Sequence, residues 1–353
     1  MAEGHTVWLI DEGHAGHRVQ AEGVLKALER AGLSLRVEKI DCVPSLRGIF
    51  RPVARAIFSR LDGPSATKLA HQVASFTEPD GTHPTFIISS GGRSAFVSRA
   101  LALKTGAPNI FVGDPGPFPR DWFSVVLSAV PLAQGASITT GIVPNVVTPQ
   151  ECLEKAQDYW QGSVPEGRWV LLLGGASRSH PYDLQDWRDI ANSVNALAAR
   201  HGIKWLISTS RRTGEEVESF LKKEISPDAV EELVLYGRQP KKVVLPFLGT
   251  AENIFVTRDS LTMVSEAIMS GKPVTALIPR RVALPPKSFL ATVLNNYASW
   301  DLYTELRCAA LVDFVPSPAT SSEPHQAIAE LDRAALKLMR DLDLPAPADE
   351  NAA

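Results

Sequence analysis

Short apolar runs alternate with helix-patterned stretches along this chain, and the alternation occurs twice. In the first half the runs are Val7 to Ile10, Leu35 to Ile40, Phe86 to Ser89, Ile110 to Gly113 and Val125 to Ser128. In the second half they are Trp169 to Leu173, Trp205 to Ser208, Val243 to Leu245, Ile254 to Thr257 and Val274 to Ile278. Strands and helices in this order predict parallel sheets joined by right-handed crossovers. At 353 residues the chain is too long for one typical domain and suits two.

The pause between the two series, Glu151 to Gly167, reads as one helix and a Gly/Ser/Pro/Glu turn linking the domains. The expected division is an α/β N-terminal domain over residues 1–160 and an α/β C-terminal domain over 168–320. Ala327, Leu331, Ala334 and Leu338 recur at helical spacing after a Pro/Ser-rich connection, so 321–343 is expected to be a terminal helix packed back on the body. Residues 344–353 read as a tail.

A net charge of -3 argues against nucleic acid as a general partner. Cys42, Cys152 and Cys308 are widely spaced with no CxxC pair, which fits a reducing cytoplasm. The first apolar run is cut short by Asp11 and Glu12, unlike a signal peptide, and no run is long enough to span a bilayer.

Two Rossmann-like halves would bind ligands at the carboxyl ends of their strands, so the loops there carry the functional candidates. The most informative is Thr257 to Ala267. Asp259 and Ser260 stand at the start of a helix, where side-chain oxygens cap free amides and an anion can be held, and Glu266 follows within about two turns as an acceptor for both hydroxyls of a ribose. Gly174 and Gly175 let backbone N–H groups approach a phosphate, with Ser177 adding a hydroxyl, and Ser210, Arg211 and Arg212 end another strand with groups suited to a diphosphate. Each of these also reads as an ordinary capped turn. Their convergence on one domain is what packing alone does not require.

In the first half, Gly13 to Gln20 turns tightly and brings His17 and Gln20 to a helix start, with His17 either a general base or a loop-orienting residue. A metal pair at His14 and His17 is disfavoured because nearby ligands are missing. Gly91, Arg93 and Ser94 form a further turn with a guanidinium for an anion. Asp114, before Pro115, either orients an acceptor hydroxyl or only starts a turn. Between Pro44 and Asp62, Arg47, Arg51 and Arg55 form one stripe and Ile49, Val53 and Ile57 another, a pattern for an anionic lipid surface or for a solvated helix, interrupted at Pro52.

Taken together, Gly16-His17 with Gln20, Ser90-Gly91 with Arg93, Asp114-Pro115, Thr139-Thr140-Gly141, Gly174-Gly175 with Ser177, Thr209 to Thr213, Asp259-Ser260 with Met263, Ser265-Glu266-Ala267 and Gly271 to Val274 resemble the plant mitochondrial-fission "elongated mitochondria" family and its bacterial homologues, described as glycosyltransferases. More distantly, Gly13 to His17, Gly174 to Ser177 and Leu261 to Pro273 look like the transferase that adds N-acetylglucosamine in lipid II synthesis. That resemblance implies a GT-B fold, two Rossmann-like domains with parallel sheets facing a cleft. It also implies a nucleotide-sugar donor with no metal or other cofactor, a lipid or cell-surface glycan acceptor, and a place in the cytoplasm at the inner membrane face. By it Glu266 holds the ribose, the Gly174 turn the diphosphate, Ser265 lies on the donor side, Gly16, Gln20, Gly91, Arg93 and Ser94 lie on the acceptor side, and His17 lies near the reacting sugar. Arg258 and Val130-Pro131 depart from the pattern. A nucleotide-sugar epimerase and a non-catalytic membrane-fission adaptor are the rival expectations.

Overall fold

The computed structural model describes residues 4–45, 51–132, 135–316 and 326–344. The chain divides into two compact units, one made of the residues up to Val146 together with those from Ala329 onward, the other of Val147–Ile328.

In chain order the first unit contains β1 (His5–Asp11), α1 (Ala15–Arg30), β2 (Leu35–Asp41), β3 (Val43–Pro44), α2 (Arg51–Phe58), α3 (Gly63–Val73), β4 (Ala74–Ser75), β5 (Phe86–Ser89), α4 (Ser94–Thr105), β6 (Asn109–Val112), β7 (Val125–Ser128) and β8 (Ser137–Thr139). Its six-stranded sheet runs β2-β1-β5-β6-β7-β8 and is parallel throughout. β3 and β4 form a small antiparallel pair beside it. The central strands β5, β6 and β7 are buried on both faces, which is why they read as unbroken apolar runs. An aromatic cluster of Trp8, Phe58, Phe96, Phe118 and Trp122 fills one side of the sheet.

The second unit contains α5 (Pro149–Tyr159), β9 (Arg168–Leu173), α6 (Leu184–His201), β10 (Lys204–Thr209), α7 (Glu215–Glu224), β11 (Val230–Val234), α8 (Val244–Thr250), β12 (Asn253–Thr257), α9 (Leu261–Met269), β13 (Val274–Ile278), α10 (Phe289–Tyr297) and β14 (Tyr303–Arg307). Its sheet order is β11-β10-β9-β12-β13-β14, again all parallel. That is the 3-2-1-4-5-6 order of a dinucleotide-binding sheet, whose winding direction reverses between its first and fourth strands, here β9 and β12. Trp169, Trp187, Trp205 and Phe255 pack its core.

Three local expectations are corrected. Val243 to Leu245 is not a strand: Val243 precedes α8 and Pro246 sits in its first turn, where a missing N–H costs little. The strand of that region is β11, further upstream. The helix expected within the linker, α5, belongs to the second unit, because Gly249 of α8 lies against the Cys152 carbonyl so closely that no Cβ would fit. The break between the units therefore falls at Val146 rather than near residue 160.

The final helix, α11 (Gln326–Asp341), packs on the first unit, burying Leu331, Ala334, Ala335, Leu338 and Met339. Asp332 accepts two hydrogen bonds from Arg30 at the end of α1, at 3.0 and 2.6 Å. Arg47 and Ile49 of the basic stretch, most of Pro316 to Pro324 and the tail beyond Leu344 lie outside the described residues. Among the described residues no helix is long and apolar enough to cross a membrane.

Candidate functional site

In the first unit the chain winds one way from β1 to β2 and the other way from β5 onward, so the carboxyl ends of β1 and β5 flank a switch point. Glu12 stands there, directly after β1. Its side chain is only 3% exposed, yet it accepts the Arg93 and Ser94 amides at the start of α4, at 2.8 and 3.2 Å. A carboxylate at a helix N-terminus satisfies orphan donors and the helix dipole together. The same Glu12 carboxylate lies 2.6 Å from Nδ1 of His17, on the first turn of α1. Burial pushes the Glu12 pKa up, but the His17 contact and the two amides outweigh it and hold the carboxyl below its usual range.

Because Glu12 is an acceptor only, Nδ1 of His17 is the protonated nitrogen and Nε2 presents its lone pair. The His17 side chain is 41% exposed, so this nitrogen is open to a substrate. Gly91, at φ +98°, permits the arrangement: a Cβ there would collide with both Glu12 and His17. Gln20, one turn along α1, reaches towards the end of β6, its Oε1 3.2 Å from where a Cβ on Gly113 would stand.

The remaining first-unit candidates divide. Gly16 is half-buried on the first turn of α1. Arg93 is half-buried, with no charged partner for its guanidinium among the described residues. Ser94 is withdrawn from the expected set: it is fully buried and its hydroxyl donates to the Ser90 and Gly91 carbonyls. Asp114 is exposed and closes a turn on the Gly116 amide at 2.9 Å, the geometry of a turn starter. Sequence reasoning missed Glu12 as a partner. The signal was an acid between a buried strand and a glycine, five residues before a helix-start histidine.

In the second unit the loops after β9, β10 and β12 meet at the β9/β12 switch point. Thr257 Oγ1 accepts the Gly174 amide at 2.6 Å and Asp259 Oδ2 the Gly175 amide at 3.2 Å. Ser210 donates to the Gly174 carbonyl at 3.1 Å, and Thr213 donates to the Leu173 carbonyl at 3.0 Å and to Gly174. Neither glycine tolerates a Cβ, which would strike the Asp259 carboxylate at 174 and the Arg212 carbonyl at 175.

This corrects two expected roles. Asp259, with a side chain 0% exposed, grips the glycine turn and pairs with Arg212 at 2.5 Å, so both members of the pair are engaged with each other. Burial raises the Asp259 pKa despite that guanidinium. Ser265 is buried and bonded to Tyr297 and to the Leu261 carbonyl, each at 2.7 Å, and so leaves the donor set.

Arg211 stays exposed with no charged partner among the described residues. Ser260 caps α9 through the Met263 amide at 3.5 Å, leaving the Leu261 and Thr262 amides open at a positive helix end. Glu266 is half-buried, without a hydrogen-bond partner among the described residues, and burial alone raises its pKa to about 7. Ser177 is half-buried just beyond the glycine turn. Arg258, the departure noted in the sequence, pairs with Glu305 on β14 at 2.7 Å and has a structural task there.

No group of three or more His, Cys, Asp or Glu among the described residues is arranged to hold a metal ion.

No curated protein matches the sequence. Among solved structures, the chain is similar to the UDP-GlcNAc 2-epimerase of Methanocaldococcus jannaschii, at 11% identity and a TM-score of 0.56, covering 96% of this chain and 100% of that one. It is also similar to a Polygonum tinctorium UDP-glucosyltransferase capable of glucosylating indoxyl, at 9% identity and 0.53, covering 98% and 100%. Arabidopsis thaliana UGT89C1 complexed with quercetin aligns at 10% identity and 0.52, covering 97% and 98%. Two six-stranded parallel sheets with these neighbours make the fold GT-B. The profile of the mitochondrial fission ELM1 family matches residues 15–338, nearly the whole length, and the chain belongs to that family.

Proposed function

We propose that the protein is a glycosyltransferase, needing no metal, that moves a sugar from a nucleotide sugar held by the second unit to a hydroxyl of a lipid-linked or cell-surface glycan acceptor. The observation that carries this reading is the Glu12–His17 pair, a histidine with one nitrogen locked by a buried carboxylate and the other open. In the reaction, Nε2 of His17 takes the proton of the acceptor hydroxyl as that oxygen bonds to the sugar's anomeric carbon. The bond from that carbon to the diphosphate breaks, and Glu12 offsets the positive charge gained by the ring. Arg211 and the open amides of α9 receive the departing diphosphate, each well-placed group supplying several kcal/mol at best. Glu266 accepts the ribose hydroxyls.

The test is a thermal-shift panel of UDP, GDP, ADP, CDP and dTDP. At least one is expected to raise the melting temperature, by about 2.7 kcal/mol of added stability at a hundredfold excess over Kd. If none does, the non-catalytic adaptor is the better reading. The similarity to an epimerase supports a second enzyme reading, in which a nucleotide sugar incubated alone with the protein returns as its epimer. Hydrolysis or transfer without epimerisation excludes it.

We also infer peripheral contact with an anionic membrane through the 44–62 stretch. No acid lies between Asp41 and Asp62, and on α2 Val53 and Ile57, one turn apart, are 60% and 48% exposed beside an exposed Arg60. The double change Val53→Asp and Ile57→Asp is expected to lower partition onto phosphatidylglycerol vesicles about tenfold or more. Unchanged co-sedimentation would remove the membrane from the proposal.

A further inference from the structure

His180, in the loop after β9, is fully buried and takes no part in the chemistry described above. Its Nδ1 lies 3.0 Å from Ser179 Oγ, and Ser179 Oγ lies 3.2 Å from Ser177 Oγ. Ser177 also accepts the His180 backbone amide at 3.0 Å, while its own amide donates to the His180 carbonyl at 2.9 Å. The turn is pinned from outside by the Ala283 amide, which donates to the Ser179 carbonyl at 2.9 Å. The far nitrogen, Nε2, is buried with no hydrogen-bond partner among the described residues.

The direction of the first hydrogen bond in this chain follows from what is buried. Burial, helped by the Arg258 charge, pushes the His180 pKa down to about 4, so the ring is neutral at neutral pH and carries one proton. An orphaned buried N–H is rarer in folded proteins than an under-used acceptor, so the proton sits on Nδ1 and the bare lone pair on Nε2. Nδ1–H then donates to Ser179 Oγ, and in the next bond either hydroxyl of the Ser179–Ser177 pair can be the donor. Ser177 already accepts the His180 amide. An acceptor-only ligand oxygen selects the arrangement in which Ser179 donates to Ser177 as well, which fills both Ser177 acceptor sites and frees its proton for that ligand.

We propose that His180 is a positioning residue that fixes Ser177 as a hydrogen-bond donor towards a phosphoryl oxygen of the donor diphosphate. The proposal rests on the nucleotide-sugar reading and deepens it. Ser177 stands two residues beyond Gly175 at the carboxyl end of β9, and an outward donor there selects an acceptor-only group such as a phosphoryl oxygen over a sugar hydroxyl.

The experiment measures calorimetric affinity for the nucleoside diphosphate that stabilises the protein best, with the matching phosphate-free nucleoside as control. His180→Leu is expected to weaken the diphosphate about tenfold and leave the nucleoside unchanged, the weight of one hydrogen bond to a charged acceptor. His180→Asn, whose amide nitrogen can stand where Nδ1 does, is expected to stay within about twofold of the wild type. Ser177→Ala is expected to show the same loss as His180→Leu, with no further loss when the two are combined. Equal weakening of nucleoside and diphosphate, or additive losses in the double variant, would mean that His180 only holds the loop in shape and would overturn the inference. Should His180→Leu fail to fold, a Ser179→Ala variant with full diphosphate affinity would overturn it equally. If a diphosphate binds and the variants change nothing, only this inference falls; if none of the five binds, the nucleotide-sugar reading falls and takes it along.

Discussion

His17→Ala is expected to lower turnover of a nucleotide sugar by about 10²- to 10⁴-fold, the usual weight of a general base, while leaving nucleoside diphosphate affinity unchanged. The separation follows from the placement of His17 in the first unit and of the donor groups in the second. Glu12→Gln is expected to cost about 10²-fold, since a neutral amide cannot offset the charge that develops on the ring. It keeps an oxygen for the Arg93 and Ser94 amides, so the fold should survive. The pH dependence carries a second signature. Burial works against the Glu12 carboxylate, but its partners hold the folded pKa below the ordinary glutamate value of 4.5. A depressed acid contributes stability that is present above the unfolded pKa and is lost as pH falls through the folded one. Glu12→Gln should therefore flatten the acid limb of the stability curve. Full turnover in His17→Ala would end the proposed catalytic role.

Glu266→Gln should move stability and binding in opposite directions. Burial lifts the Glu266 pKa from 4.5 to about 7, and a raised acid contributes stability fully present below the unfolded value and lost as pH rises through the folded one. Between pH 4.5 and 7 the wild type therefore loses at most about 3 kcal/mol that the neutral glutamine does not lose. Urea denaturation at pH 8 should find the variant more stable, with the difference vanishing near pH 4. Nucleoside diphosphate affinity should meanwhile fall by about 10- to 100-fold, because two ribose hydroxyls lose a charged acceptor. A partnerless half-buried carboxylate that costs stability is the mark of a group kept for a ligand. Unchanged affinity in Glu266→Gln would make it merely a poorly placed side chain.

The two sheets were legible because their central strands are apolar on both faces, and the loops after β1, β5, β9, β10 and β12 were legible because glycines and hydroxyls cluster there. Of the edge strands only β2 was; β8, β11 and β14 were not. β11 carries Glu231 and Glu232, and β14 carries Glu305 and Arg307, so neither reads as a buried run. Val243 to Leu245 does read as one, and only Pro246 in the next position marks it as a helix start. Within the site, residue type was legible and facing was not. Ser265 and Glu266 are neighbours in sequence, yet one points into the packing against Tyr297 and the other keeps an unpartnered carboxylate. Asp259 and Arg212 both looked ready for a ligand, and a contact across two loops binds them to each other.

The return of α11 to the first unit makes that unit discontinuous in sequence, with the second nested inside it. During synthesis the earlier sheet leaves the ribosome without the helix that covers its flank near Arg30 and Gly141, and it waits until the whole inserted unit has followed. Damage to the last helix thus reaches the half of the molecule made first.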